Sequence, residues 1–150
     1  MTHDPRNLID TAILTGGYDT FIDALQKSKV SISLQEDGPY TLFAPNQSAF
    51  QEFEQELAKR NSSLISLFSN EDETRKLVNR HIIPGRVDHE EIINMAGGKI
   101  ETIGGNFLKI KIFDNKLFIE DAEILRTDIE ASNGFIHEIN KVLAPDDLQF

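Results

Sequence analysis

The sequence has 150 residues, and its 25 acidic and 15 basic side chains give a formal net charge of −10 at neutral pH. Surfaces that bind nucleic acid or anionic lipid need clustered basic residues, and no run of them occurs in this sequence. The composition therefore argues against nucleic acid and against a membrane surface as partners.

The length of the chain is that of one domain, and we expect a single unit over residues 1–150. There is no cysteine, so disulfides contribute nothing to stability. No apolar run approaches the roughly 20 residues that a membrane span needs, which predicts no membrane insertion. Residues 1–6 lack the charged-then-apolar pattern of a secretory signal, so we expect no signal peptide in this chain.

Hydrophobic spacing of three and four residues predicts helices in the first half of the chain. Two Asx-x-x-Glu patterns are typical of helix N-termini, because the first side chain accepts a hydrogen bond from a free backbone N–H. The predicted helices cover residues 4–13, 18–25 and 50–57, and the two capping patterns are Asn70 with Glu73 and Asp88 with Glu91.

Strands are predicted mainly in the second half, where the apolar period changes to two. Asp114-Asn115 between two such runs is a hairpin signal. An earlier strand, residues 40–44, is apolar on both faces and is ended by Pro45, so Phe43 should be buried. The other strands are predicted at residues 108–112, 116–120, 123–129 and 134–143. Helices followed by strands indicate an α+β fold.

Three segments carry a more specific pattern. Residues 40–50 and 133–143 are apolar strands next to turn residues, and residues 77–87 place His81 shortly before a Pro84-Gly85 turn. In this order the segments resemble the two signatures and the middle segment of the fasciclin domain family, and the resemblance covers about residues 7–145. The family's middle segment has a Tyr-His pair, whereas this chain has Arg80-His81.

The resemblance implies a single compact fasciclin-like domain, with N-terminal helices packed on a mostly antiparallel wedge of about seven strands. It also implies a non-enzymatic interaction module without a cofactor. Such a module works in cell adhesion or in contact with the cell envelope or matrix, through a protein or glycan partner. An extracellular or cell-envelope location and a monomer follow from the same resemblance, as does the possibility of a structural unit within a longer surface protein.

Two pairs of residues match positions that have been linked to integrin recognition in some animal members of the family. They are Asp128-Ile129 and Arg80-His81, and we expect any partner-binding role there. For the first pair we favour a structural role, with Ile129 buried and Asp128 accepting hydrogen bonds from turn N–H groups.

His81 and His137 are the other candidates for chemistry. Each lies in an apolar run, which favours a buried neutral ring that binds no metal. The sequence has no His-Glu-x-x-His helix, no Gly-x-Ser-x-Gly turn and no Asp-rich calcium loop, so no catalytic residue, cofactor or metal is expected. The alternative hypothesis is that the chain is a small-molecule-binding or enzymatic domain that uses a cleft near His81 or His137.

Overall fold

The computed structural model describes residues 8–30 and 39–144. Within these ranges the helices precede most of the strands, as the periodicity predicts. The helices are α1 (Leu8–Thr15), α2 (Asp19–Lys27), α3 (Gln47–Lys59), α4 (Leu64–Phe68), α5 (Glu71–Asn79) and α6 (His89–Asn94). The strands are β1 (Tyr40–Pro45), β2 (Ile82–Pro84), β3 (Lys99–Glu101), β4 (Phe107–Phe113), β5 (Lys116–Ile119), β6 (Ala122–Ala131) and β7 (Gly134–Ile139).

Side-chain caps fix where four of the helices begin. Asn46 accepts a hydrogen bond from the N–H of Ala49 at the start of α3, and Ser63 does the same for α4. The two predicted capping residues, Asn70 and Asp88, accept from the N–H groups of Glu73 and Glu91. The predicted cap of the first helix at residue 4 lies outside the described residues.

The seven strands form one continuous sheet in the order β2-β1-β7-β6-β5-β4-β3. Every pairing is antiparallel except that of β1 with β7, which is parallel and joins Tyr40 to Gly134 and Phe43 to His137. The α+β class and the mostly antiparallel seven-stranded sheet are therefore confirmed.

Gly134 allows the parallel pair to close. A Cβ atom at this position would lie 1.7 Å from the carbonyl oxygen of Tyr40, which is far inside van der Waals contact. The signature glycine is thus required by the approach of the two backbones and not only by the turn before it.

The described core has two parts, one on each face of the central strands. The first is formed by α1, α2 and α5 packed on Leu42 and Ile136, and the second lies around Phe43 and Ile139 with the inner residues of the β4–β5 hairpin. Phe43 has no exposed surface, as the sequence predicts. Strand β1 is therefore covered on both faces.

Two strand boundaries differ from the sequence prediction. β7 ends at Ile139 rather than at residue 143, because Asn140 leaves the ladder and bonds Glu123 through both its backbone N–H and its side-chain oxygen. β6 runs to Ala131 and contains register shifts on either side of Arg126.

None of the helices within the described part of the chain is long and apolar enough to cross a membrane.

Candidate functional site

The His81 ring contacts two separate backbone segments and one aromatic ring. Its Nδ1 lies 2.9 Å from the carbonyl oxygen of Leu77, and its Nε2 accepts a hydrogen bond of 2.9 Å from the N–H of Leu143. The ring also packs on Phe21, with centroids 5.5 Å apart. Because Nε2 accepts, the proton of the neutral ring sits on Nδ1 and is donated to Leu77.

This environment opposes protonation of His81. The side chain is 1% exposed, and burial lowers its pKa from 6.5 to about 3, with a smaller opposing effect from the bond to Leu77. A second proton on Nε2 would also face the N–H of Leu143. At neutral pH the ring is therefore uncharged and committed to backbone hydrogen bonds.

His137 is arranged in the same way on the opposite side of the central strands. Its Nε2 lies 2.8 Å from the carbonyl oxygen of Val87, and its Nδ1 accepts a hydrogen bond of 3.1 Å from the N–H of Asp128. It is fully buried and packs near Phe43. Burial lowers the pKa of His137 below its usual value, so this ring is also neutral. The predicted burial of both histidines is confirmed.

Asp128 occupies an irregular position within β6. Its φ is 59°, and it lies within the second register shift of the strand, between Arg126 and Ile129. Its N–H donates to His137. The carboxylate is exposed, and Oδ1 accepts a hydrogen bond of 2.9 Å from the N–H of His89 at the start of α6. Asp128 thus ties a β-bulge to a helix terminus, while Ile129 beside it is half-buried against the first core.

Arg80 lies at a different place, where α5 ends. Its Nε donates a hydrogen bond of 2.9 Å to the carbonyl oxygen of Leu143, whose N–H is held by His81. The Arg80-His81 pair therefore fixes both backbone polar groups of one residue in the segment that follows β7.

A groove opens beside Arg80. Its volume is about 530 Å³, and it lies between α3, the β5–β6 turn and the segment after β7. Its lining combines an apolar floor with carboxylates and cations: Phe53, Leu57 and Val142 with Glu52, Arg80 and Lys141. Among the described residues neither His81 nor His137 lines it.

The four residues implied by the resemblance thus fall into two groups. Arg80 and His81 both form hydrogen bonds with Leu143. Asp128 forms hydrogen bonds with His137 and His89 instead. Among the described contacts no residue bonds to both groups. The structure keeps each sequence pair together but does not assemble the two pairs into one cluster.

One buried polar network is not predicted by the sequence analysis. The Tyr18 hydroxyl donates to Oε1 of Glu138, and Asn46 donates to Oε2 of the same carboxylate, both at 2.9 Å. Tyr18 is 1% exposed, and burial followed by the bond to Glu138 raises the pKa of its phenol far above the usual value. The only sequence signal for this network is a glutamate inside an otherwise apolar strand.

The arrangement offers little to a catalytic reaction. Within residues 8–30 and 39–144 no group of three or more His, Asp or Glu side chains is placed to hold a metal ion. In both described buried histidines the two ring nitrogens are hydrogen-bonded to backbone groups. Neither ring therefore has a free lone pair or proton for a substrate. Their chemistry is that of internal hydrogen-bonding cross-links.

A family comparison agrees with the three sequence segments and the sheet order. The fasciclin domain model matches residues 16–145, which is most of the chain. The chain belongs to the fasciclin domain family. Its matches include protein sll1483 of Synechocystis sp., 28% identical over 96% of this chain and 76% of that protein.

Longer relatives contain this domain as one part. The transforming growth factor-beta-induced protein ig-h3 of Sus scrofa is 32% identical over 86% of this chain, and the match spans 18% of that protein. The same fold is found in a FAS1 domain pair from the insect cell adhesion molecule fasciclin I, with a TM-score of 0.81 at 15% identity. That match covers 96% of this chain and 53% of the insect chain, which shows that the fasciclin fold is shared.

Proposed function

We propose that this fasciclin domain is a non-enzymatic interaction module that mediates adhesion or cell-envelope contact through a protein or glycan partner. The main support for the proposal is the environment of His81 and His137. Each is buried and neutral, and both ring nitrogens of each are bonded to backbone groups. Family membership and the adhesion role of insect fasciclin I support the same conclusion.

The alternative, a small-molecule-binding or enzymatic domain near His81 or His137, has less support. A catalytic histidine needs access to substrate and a free nitrogen. The groove beside Arg80 is lined by Arg80 and by four carboxylates, and not by a histidine. We therefore infer an external surface, and not an internal cleft, as the functional part of the domain.

The contact residues that we propose are those at the two family positions. Asp128 exposes its carboxylate, and only Oδ1 has a described hydrogen bond within the protein. Arg80 lines the groove, while His81 bonds the backbone of Leu143 and Ile129 packs on the first core. We place the working domain outside the cell or in the cell envelope, as a monomer or as one unit of a longer surface protein.

The test is a bead-binding assay. Beads carrying the folded domain are incubated with cell-envelope fragments from the source organism, and retained fragments are measured against beads that carry the heat-denatured domain. We expect retention only by the folded domain. Equal retention by both kinds of bead, or none by either, would refute the proposed adhesion function.

A further inference from the structure

The sheet gathers lysines that are scattered in the sequence. Strand alternation and the β3–β4 and β4–β5 registers place seven exposed side chains on one outer face of the sheet. We name it the lysine–phenylalanine face, and it consists of Lys99, Phe107, Lys109, Lys111, Phe113 and Lys116, together with one carboxylate, Glu101. The opposite side of the same strands carries the buried Leu108 and Ile110.

The lysines of this face differ from the rest of the chain. The sequence contains nine lysines, and all five outside the face lie within 4 Å of a carboxylate oxygen. By contrast, none of the four lysines on the face has such a partner among the described residues. In a chain with net charge −10, acidic partners are plentiful, yet the ammonium groups of these four lysines form no ion pair among the described residues.

One pairing on the face opposes stability. Lys99 and Lys109 are direct cross-strand partners, and like charges at opposed positions destabilise a sheet. Both side chains are exposed, so a neutral or acidic residue would fit either position equally well. The fold itself does not require this repulsion, whereas a negatively charged ligand would remove it.

The aromatic rings hold the ammonium groups in place. The Nζ of Lys99 lies over the ring of Phe107 at 4.6 Å from its centroid, and that of Lys111 lies over Phe118 at 5.6 Å. Phe113 is 69% exposed at the hairpin end. The face runs for about 20 Å from Phe107 to Phe113, with lysines about 7 Å apart along β4. Its side chains are exposed along this whole length, which suits an extended polymer better than a small molecule.

We propose that the lysine–phenylalanine face binds an acidic polysaccharide, with carboxylate or sulfate groups on the lysines and a sugar ring against Phe113. This inference rests on the proposed adhesion function and names its partner class. Nucleic acid fits less well, because one of the two rings of the face, Phe107, is covered by an ammonium group and is not open to base stacking. The acidic remainder of the protein also repels a polymer with a phosphate on every residue.

Carboxylates border the face and limit its extent. Glu101 lies on the face opposite Phe107 at one edge, and Glu123 pairs with Phe118 at the other. The Oε2 atom of Glu120 accepts a hydrogen bond from the backbone N–H of Lys109. These carboxylates confine the cationic area to the β3–β5 strands. An acidic polysaccharide carries anionic groups separated by uncharged sugar atoms. This spacing matches a face on which lysines alternate with phenylalanine rings.

The binding test uses polygalacturonate as a carboxylated polymer, dextran sulfate as a sulfated one, and dextran as a neutral control. The first variant is Lys99→Gln/Lys109→Gln/Lys111→Gln. The matched control is Lys27→Gln/Lys59→Gln/Lys76→Gln, which removes the same charge from ion-paired lysines outside the face. All six side chains are well exposed or at the surface, and thermal unfolding checks that both variants fold.

We expect the wild-type domain to bind at least one acidic polymer, but not dextran, in a salt-dependent way. The face variant should bind about tenfold more weakly or worse, whereas the control should stay within about twofold of wild type. Absence of binding to both acidic polymers, or equal losses in the two variants, would overturn the proposal. Binding only to single-stranded DNA or to anionic lipid vesicles would also overturn it, in favour of those partners.

The bead assay separates this inference from the adhesion function. If envelope fragments are retained equally by the wild-type domain and the face variant, the polysaccharide inference fails while adhesion stands. If the wild-type domain retains no fragments, the adhesion function itself fails. Retention that the face variant loses and the control keeps supports both.

Discussion

Burial of His81 predicts that the domain loses stability in mild acid. The pKa of His81 is about 3 in the folded protein because of burial, against 6.5 for an exposed histidine. The unfolded chain therefore binds a proton below pH 6.5 that the folded chain does not accept. Stability from this group is fully present above the unfolded pKa and falls as pH drops from there towards the folded pKa.

The magnitude follows from the two pKa values. Between pH 7.5 and 5.5, protonation of His81 in the unfolded chain lowers the free energy of unfolding by about 1.4 kcal/mol. The pKa of His137 is also lowered by burial, so it acts in the same direction. Ordinary carboxylates stay ionised across this window, which makes the histidines the main titrating groups.

Urea unfolding at pH 7.5, 6.5 and 5.5 measures the effect directly. In His81→Asn the free energy of unfolding should fall by about 1.4 kcal/mol less between pH 7.5 and 5.5 than it does in the wild type. This difference does not depend on the stability of the variant at pH 7.5. As an independent check, the imidazole NMR signal of His81 in the folded wild type should not titrate between pH 7.5 and 5.5. A wild-type stability that does not change over this range, or a His81 signal that titrates near pH 6.5, would refute the reasoning.

Three further predictions concern single side chains. Phe43→Ala should lower the free energy of unfolding by about 3–5 kcal/mol, because the ring is fully buried, whereas Phe113→Ala should change it by less than about 0.5 kcal/mol. Gly134→Ala should cost at least about 3 kcal/mol, since its Cβ would collide with the carbonyl oxygen of Tyr40 and force β1 and β7 apart. Asp128→Asn should cost less than about 1 kcal/mol, because asparagine tolerates positive φ and keeps the acceptor, yet it should weaken bead adhesion.

Urea titration and the bead assay check these three changes. Equal midpoints for Phe43→Ala and Phe113→Ala would contradict the assigned strand register. A stable Gly134→Ala protein would mean that the parallel strands pair differently. A large loss of stability in Asp128→Asn with unchanged adhesion would show that Asp128 is structural and not a contact residue.

Features set by local hydrogen bonds or local spacing could be predicted from the sequence. Asn70 and Asp88 cap helices as expected, because each acts on an N–H only three residues away. The β4–β5 hairpin follows from alternation around Asp114-Asn115, whose φ values are both positive. The three fasciclin segments supplied the sheet architecture, which periodicity by itself does not specify.

Features that depend on distant partners could not be predicted. The hydrogen bond from Tyr18 to Glu138 spans 120 positions, and the pairing of Phe43 with His137 requires the parallel alignment of β1 and β7. The positive φ of Asp128 arises at a β-bulge, whose position depends on the neighbouring strand. The lysines of the outer face, similarly, become one surface only through the register of β3 with β4 and β5.

The central claim is that the domain works through its surface, while the buried histidines only support the fold. Its most direct test is bead adhesion by His81→Asn, assayed at neutral pH and normalised to the folded fraction measured by circular dichroism. Asparagine retains a donor near Leu77 and loses the imidazole chemistry. We predict that folded His81→Asn retains envelope fragments as well as wild type does. Loss of retention in a fully folded His81→Asn protein would contradict this claim. It would indicate that the function depends on the imidazole of His81.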